Sequence, residues 1–254
     1  MASIINAIST GAGGLVSSGD ASGQLQLQTN STAALTIDGS QNATFAGSVT
    51  AASYVGVVSG FTNMQVFTSP GTFTTPSTTT KIKVTVVGGG GSGSIITGPT
   101  SVGGAGGGGG YGIYVGPVTA STPYAVTVGT GGAQPPTSPA SGNSGGTSSF
   151  GPIISCTGGS GGAVGPGAAA GGAGGTATGA TFSVAGQQGA PGNTAPGSGT
   201  TGGSTLLGTA ASGGGAPTTS TVVVASGYGS GGAGGNTPTS GRGTGLSGVV
   251  IVEY

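Results

Sequence analysis

The chain has 254 residues, of which 64 are glycine and six carry charge at neutral pH, three of each sign. Three cations cannot form the basic surface on which DNA and RNA binding depends, so nucleic acid is excluded as a partner. No run approaches the roughly 18 apolar residues of a membrane span, and the first residues lack the pattern of a secretory signal. With one cysteine and no histidine, neither an internal disulfide nor a metal site is predicted, and no cofactor is expected.

Residues 24–58 show short runs of alternating apolar and polar residues, interrupted by Asp-Gly, Asn and Gly. This pattern predicts β-strands joined by turns. Each run is too short to form a core alone, so the strands are expected to bury their apolar faces against other copies of the chain. The segment therefore predicts a homotrimer; the alternative is a poorly ordered leader.

Further strands are predicted from residue 64 onward. Ile82, Val84 and Val86 alternate with polar residues, which is typical of a strand with two different faces. Similar runs recur at 111–118, 124–130, 149–157, 180–186 and 248–254. Glycine disfavours helix by about 1 kcal/mol per position, and no long stretch has a 3.6-residue period. The predicted fold class is all-β, with essentially no α-helix.

Glycine-rich tracts separate these strands. Ten of the 64 glycines precede residue 88, and the other 54 lie between residues 88 and 248. Collagen is excluded because glycine does not hold every third position without interruption. A phosphate-binding P-loop is excluded because no Gly-Lys pair exists. Two interpretations are left: a flexible linker, or polyglycine II helices with three residues per turn that hydrogen-bond to one another through their backbones.

Catalysis is not predicted. The stretch GGSGG at 158–162 fits the G-x-S-x-G pattern of a nucleophilic serine, but the chain has no histidine to act as its base. The lysines at 81 and 83 lie on a predicted strand without a neighbouring motif. The protein is expected not to be an enzyme.

Three stretches resemble a known family. They are QVFTSPGTFTTPSTTTKIKVTVVGGGGSG (65–93), GYGSGGAGG (227–235) and SGVVIVEY (247–254). Together they resemble the glycine-rich receptor-binding domains at the tips of bacteriophage tail fibres, similar to the tip adhesins of T-even-like phages. The resemblance covers about residues 61–254, and the stretch at 19–56 resembles repetitive segments near the start of many phage fibre proteins. It implies a layered polyglycine II sandwich on a β-stranded base, with loops at the far end that contact the bacterial surface.

The candidate contact residues lie in inserts that interrupt the glycine tracts, at 94–102, 133–141, 164–170, 193–201 and 216–226. Exposed apolar or Pro/Thr-rich loops on a rigid support are typical recognition sites. The residues predicted to contact a receptor are Ile95, Ile96, Thr97, Pro135, Pro136, Asn193, Val222, Val223, Val224 and Tyr228. Alternatives stay open: Val222–Val224 could form a base strand, Tyr228 could pack on the flank of the sandwich, and the inserts at 133–141 and 193–201 could be purely structural.

The leading functional hypothesis is a virion tail-fibre protein with two roles. Residues 1–60 would attach it to other tail proteins and trimerise it, and residues 61–254 would bind an outer-membrane protein or surface glycan of the host cell. A structural fibre or decoration protein without receptor binding is the alternative. An ice-binding protein built on the same glycine helices is a third hypothesis.

Overall fold

The computed structural model describes residues 24–29, 32–49, 60–96, 101–192, 200–212, 225–235 and 243–254. The chain divides into two compact units, Met1–Ser59 and Gly60–Tyr254, which are described separately below. Within the described residues all regular elements are β-strands, so the all-β prediction is confirmed. None of the described residues belongs to a helix capable of crossing a membrane.

The first unit is an antiparallel three-stranded meander. Its strands are β1 (Leu25–Thr29), β2 (Thr32–Ile37) and β3 (Ala43–Phe45). Cross-strand pairing places the apolar side chains on one face, with Leu25 opposite Ile37, and Leu35 opposite both Leu27 and Phe45. None of the described side chains of this unit is fully buried, and the Leu25 side chain is 50% exposed.

The turn between β2 and β3 is organised by one carboxylate. Asp38 accepts hydrogen bonds from the side-chain amide and the backbone N–H of Asn42, and from the backbone N–H of Ser40. These bonds favour the charged form, so they lower the pKa of the Asp38 carboxyl below its ordinary value, the side-chain bond from Asn42 contributing most.

The described residues of the second unit form fourteen strands. They are β4 (Met64–Phe67), β5 (Gly71–Thr74), β6 (Lys81–Val87), β7 (Ser101–Gly103), β8 (Tyr111–Pro117), β9 (Pro123–Thr127), β10 (Ser148–Phe150), β11 (Ile154–Cys156), β12 (Val164–Pro166), β13 (Ala177–Thr178), β14 (Phe182–Val184), β15 (Gly208–Thr209), β16 (Ser226–Gly227) and β17 (Val249–Glu253). Two five-stranded antiparallel sheets form its base. The first base sheet has the order β14-β8-β6-β17-β4, and the second base sheet has the order β13-β11-β10-β9-β5.

The two base sheets enclose the hydrophobic core. Both contribute alternate side chains to it, as expected for strands with one buried face. The core consists of Phe67, Phe73, Ile82, Val84, Val86, Val126, Val128, Phe150, Ile154, Cys156, Val250 and Val252. Its aromatic centre is Phe150, whose ring lies 5.1 Å from the Tyr124 ring and 5.9 Å from the Phe73 ring between centroids.

One predicted strand is two strands in the structure. The run 149–157 was expected to be continuous, but β10 ends at Phe150, and β11 begins at Ile154 and pairs back onto it. Gly151 has a φ of 48°, in the left-handed region that glycine tolerates, and Pro152 follows it. These residues turn the chain, so both halves of the run contribute to the core.

Cys156 is fully buried in this core, and its thiol donates to the Val86 carbonyl. Burial raises the pKa of the thiol from 9.0 to about 12. Above pH 9 the unfolded chain therefore loses this proton before the folded chain does, so the thiol's contribution to stability falls as pH rises from 9 toward 12. For this one proton, the free energy of unfolding falls by at most about 1.4 kcal/mol per pH unit. Chemical denaturation at several alkaline pH values measures the free energy of unfolding. This free energy should fall less steeply with pH in Cys156→Ala than in the native chain; equal slopes would contradict this assignment.

Ten glycine-rich segments extend from the base and form what we call the glycine lattice. They are segment I (88–95), II (103–110), III (129–133), IV (140–146), V (157–163), VI (169–176), VII (186–192), VIII (200–204), IX (229–235) and X (243–248). Several continue base strands without a break: β6 runs into segment I, β11 runs into segment V, and segment II runs into β8. The lattice is therefore covalently continuous with the sandwich.

Segment I shows how the lattice is bonded. Its successive N–H groups point to three different neighbours in strict rotation: Gly88 donates to Gly110 of segment II, Gly89 to Gly146 of segment IV, and Gly90 to Leu246 of segment X. The rotation then repeats from Gly91, Ser92 and Gly93 to Gly107, Asn143 and Gly243. A donor direction that returns every third residue is the signature of a helix with three residues per turn, so the polyglycine II prediction is confirmed.

Segment II is bonded in the same way. Its N–H groups donate in rotation to segments V, VII and IX, and its carbonyls accept from segments I, VI and VIII. Segment I likewise accepts from segments III, V and IX. Both segments thus have six neighbours, which defines three layers: IV-V-VI, then III-I-II-VII, then X-IX-VIII. The interior of this unit's lattice is made of main chain rather than of side chains.

Candidate functional site

The glycine segments pair with one another, and we call the end of the lattice remote from the base the distal end. Segments I and II, III and IV, V and VI, VII and VIII, and IX and X form five antiparallel hairpins through their backbone hydrogen bonds. Segments I, III, V and VII each begin next to a base strand, so their turns lie at the opposite end. The described ends of these hairpins therefore lie on one surface; residues 97–100, 193–199 and 236–242, which join three of the pairs, lie outside the described residues.

Cross-links between hairpins hold this surface in place. The turn after segment I pairs with the turn after segment V through β7 and β12. Ile95 and Ala140 exchange two backbone hydrogen bonds of 2.9 Å, which ties segment I to segment IV. The Thr200 hydroxyl accepts from the Gly234 N–H at 3.0 Å, which ties segment VIII to segment IX. The anchors of the turns are therefore fixed relative to one another.

The structure places some of the predicted contact residues at this end. Ile95 is half-buried, and Pro136 is exposed in the turn between segments III and IV. Pro135 beside it is buried. The expectation that Ile96 is an exposed loop residue is wrong, because its side chain is 1% exposed and lies over Gly103. Ile96 closes the end of the lattice instead of extending from it.

Tyr228 lies elsewhere. Its N–H donates to the Leu207 carbonyl, and the following Gly229 packs against Val87 of β6, which places Tyr228 at the base end of the unit. The structure therefore does not bring Tyr228 together with Ile95 and Pro136. Thr97, Asn193 and Val222–Val224 lie outside the described residues, so the strand alternative for 222–224 is also untested.

The insert 216–226 differs from the other four. Before it, Ser212 bridges Thr201; at its end, Ser226 in β16 pairs with Thr209 at the base. Ser212 thus lies beside Thr201 at the distal end, whereas Ser226 lies at the base; residues 213–224 between them lie outside the described residues. Segments IX and X are joined by residues 236–242, which lie outside the described residues; the sequence prediction did not select this stretch, NTPTSGR, which is rich in Thr, Ser and Pro like the other inserts but also carries Arg242.

The described part of the distal end, meaning residues 94–96, 101–104, 131–142, 163–170, 190–192, 200–202, 233–235 and 243–245, carries neither a charged nor an aromatic side chain. It offers backbone amides and carbonyls, hydroxyls and small apolar groups. Nowhere in the described ranges do three potential metal-ligating side chains cluster. Such a surface can bind another molecule through complementary shape and uncharged hydrogen bonds.

A second regular surface lies on the outer side of layer IV-V-VI. Exposed or half-exposed small residues recur there at every third position, because each polyglycine II turn brings the chain back to the same side. They are Ser141, Ser144, Thr147, Thr157, Ser160, Ala163, Ala170, Ala173 and Thr176. The repeat along each segment is about 9.3 Å, three residues at 3.1 Å.

The fold defines a class: an all-β protein whose two-sheet base carries a three-layer polyglycine II lattice. A family model described as "Glycine-rich domain" matches residues 67–254, and the chain belongs to this family. The match covers the second base sheet, the lattice, and the first base sheet apart from residues 64–66 of β4. No curated protein matches the chain.

Proposed function

We propose that the protein is a bacteriophage tail-fibre protein that attaches the virion to a bacterial surface through the distal end of its glycine lattice. The observation that carries the proposal is the convergence of the described ends of five hairpins, several of them cross-linked, on one end of a rigid support. Loops on a scaffold that does not depend on their side chains can change in sequence without loss of the fold. The motifs at 65–93, 227–235 and 247–254, which resemble phage tip adhesins, supply the biological context.

The proposed partner is a molecule of the host surface, either an outer-membrane protein or a glycan. Because the described distal residues lack charge, binding through them would rest on buried apolar area and neutral hydrogen bonds, and pre-ordered turns lower the entropy lost on binding. A weak single contact would be strengthened by several copies acting together.

The proposed trimer uses the first unit. Its sheet exposes Leu25, Leu27 and Phe45 on one face, at 45–50% of their area. Three strands with no buried face are marginal alone, and identical copies supply matching apolar faces. Residues 1–60 would also carry the attachment to other tail proteins. Sedimentation of the full chain at low protein concentration, where weaker contacts between trimers dissociate, should give the mass of three copies.

The distal-end proposal is tested by changing one turn while keeping its anchors. Residues 136–139 are replaced by Gly-Ser-Gly-Ser in the full chain, which preserves Ala140 and its bridge to Ile95. Labelled protein is then incubated with whole cells of a panel of bacterial strains. We expect the native chain to bind some strains, and the variant to bind them at least about tenfold more weakly, a loss of about 1.4 kcal/mol, without a change in melting temperature.

The matched control replaces Ser77 and Thr78 by glycine, in an exposed turn between β5 and β6 at the base. This control should bind cells like the native chain. If the folded native chain bound no strain, the structural fibre alternative would be favoured. If all three proteins bound equally, the turn 136–139 would not belong to the site.

A second candidate function has a specific observation in its favour. The regular small-residue surface on layer IV-V-VI repeats at about 9.3 Å, as a surface that matches a crystalline ligand would. Ice is the ligand proposed for it. Shaping of ice crystals by the purified protein would support this function over attachment.

A further inference from the structure

The outer face of the first base sheet carries an apolar row although it does not face the core. One row crosses all five strands in register and consists of Val66, Ile251, Thr85, Ile113 and Phe182. The next row contains Met64, Glu253, Lys83 and Val115. An antiparallel sheet that packs one face on a core normally has a polar opposite face. We call this surface the outer sheet face.

Several of its side chains are open to solvent. Met64 is 65% exposed, Phe182 55% and Val66 46%. The part nearest the lattice is covered, since Gly229 packs against Val87 there. Between these exposed side chains lie the half-buried Ile113 and Ile251, and exposed apolar patches on proteins often mark interaction sites.

The charges of the molecule are concentrated on the same face. Of the four charged side chains in the described residues, Asp38 lies in the first unit and the other three, Lys81, Lys83 and Glu253, lie on the outer sheet face. Lys83 Nζ and Glu253 Oε2 are 2.7 Å apart near its centre. Neighbouring charges of opposite sign make a surface complementary to itself, because the cation of one copy can meet the anion of another.

We propose that the outer sheet face binds the same face of a second copy of this chain. The face is about 24 Å wide, five strands at roughly 4.8 Å, and about 17 Å long, five residues at roughly 3.4 Å. Two such faces bury about 800 Å² of planar area, below the roughly 1,200–2,000 Å² of stable specific interfaces, so the contact is a weak one. The contact would thus add to association through the first unit, and it does not depend on what the distal end binds.

The test is chemical cross-linking of the full chain. Val115→Cys introduces a thiol within the outer sheet face. Cys156 does not react with the cross-linker because it is fully buried. Leu206→Cys is the matched control, since Leu206 is also exposed but lies in a turn outside the sheet. A short bismaleimide should give a cross-linked dimer with Val115→Cys and not with Leu206→Cys.

A second substitution makes the result specific to the face. Adding Val66→Lys to Val115→Cys places a third cation on it, and the dimer yield should fall at least about tenfold, whereas Leu206→Lys should leave it unchanged. Melting temperatures verify that all variants fold. A yield from Val115→Cys no higher than from Leu206→Cys overturns the proposal, and so does a yield insensitive to Val66→Lys.

Discussion

Replacing Gly107 by valine is expected to lower the melting temperature of the second unit by roughly 6–12 °C. A Cβ atom at this position would lie closer than 3.0 Å to the carbonyl groups of Ala173 and Gly172 in segment VI. Ala173 is held by the Ser160 N–H, so its carbonyl cannot move without breaking a lattice bond. Overpacking costs about 1–3 kcal/mol even in adaptable cores, and 3 kcal/mol corresponds to that shift in a unit of this size.

Two further substitutions complete the measurement. Gly108→Val should have a similar effect, because its Cβ would meet the Ser204 carbonyl of segment VIII. Gly60→Val is the control, since a Cβ there meets nothing within 4 Å. If Gly107→Val melted like Gly60→Val by circular dichroism, the glycine tracts would behave as flexible linkers and the lattice would be refuted.

The helical form of the glycine tracts could be predicted from sequence because it follows from the backbone alone. Without side chains, neighbouring chains approach closely enough to bond main chain to main chain, and this requires only that glycine be frequent. The order of the layers could not be predicted in the same way. Segments I and II carry too few side chains to indicate which of their six neighbours lies on which side.

A signal for the layers was nevertheless present in the sequence. Segment V has Thr157, Ser160 and Ala163 at every third position. Their side chains face solvent or the edge of the layer. Segment II is glycine without interruption from Gly106 to Gly110, and it lies at the centre. Small side chains at a three-residue period therefore indicate an outer segment, and their absence indicates an inner one.

The candidate site was harder to predict for a related reason. Ile96 and Pro136 both lie in inserts between glycine tracts, yet one is buried and the other exposed. Composition marks where a tract ends, but not whether the next residue extends into solvent or packs back to close the lattice. That depends on pairings between turns far apart in sequence, such as β7 with β12, which no local pattern encodes.

Replacing Phe150 by alanine is expected to destabilise the base and the lattice together. The Phe150 side chain is fully buried, and its ring contacts Tyr124 and Phe73 at the centre of the core. Phenylalanine-to-alanine changes in such positions cost about 3–5 kcal/mol. Phe61→Ala is the control, because Phe61 is 37% exposed and should cost much less.

The number of unfolding transitions shows whether the lattice depends on the base. β6, β8 and β11 continue into segments I, II and V through single peptide bonds, and Ser148 of β10 accepts the Gly129 N–H of segment III. Loss of the core therefore removes the anchors of the lattice, and both parts should unfold in one transition. Tyrosine signals in the near-ultraviolet report on the base, and backbone dichroism reports on the lattice. A lattice transition that keeps its temperature in Phe150→Ala while the base melts earlier would show that the polyglycine II layers stand without the sandwich.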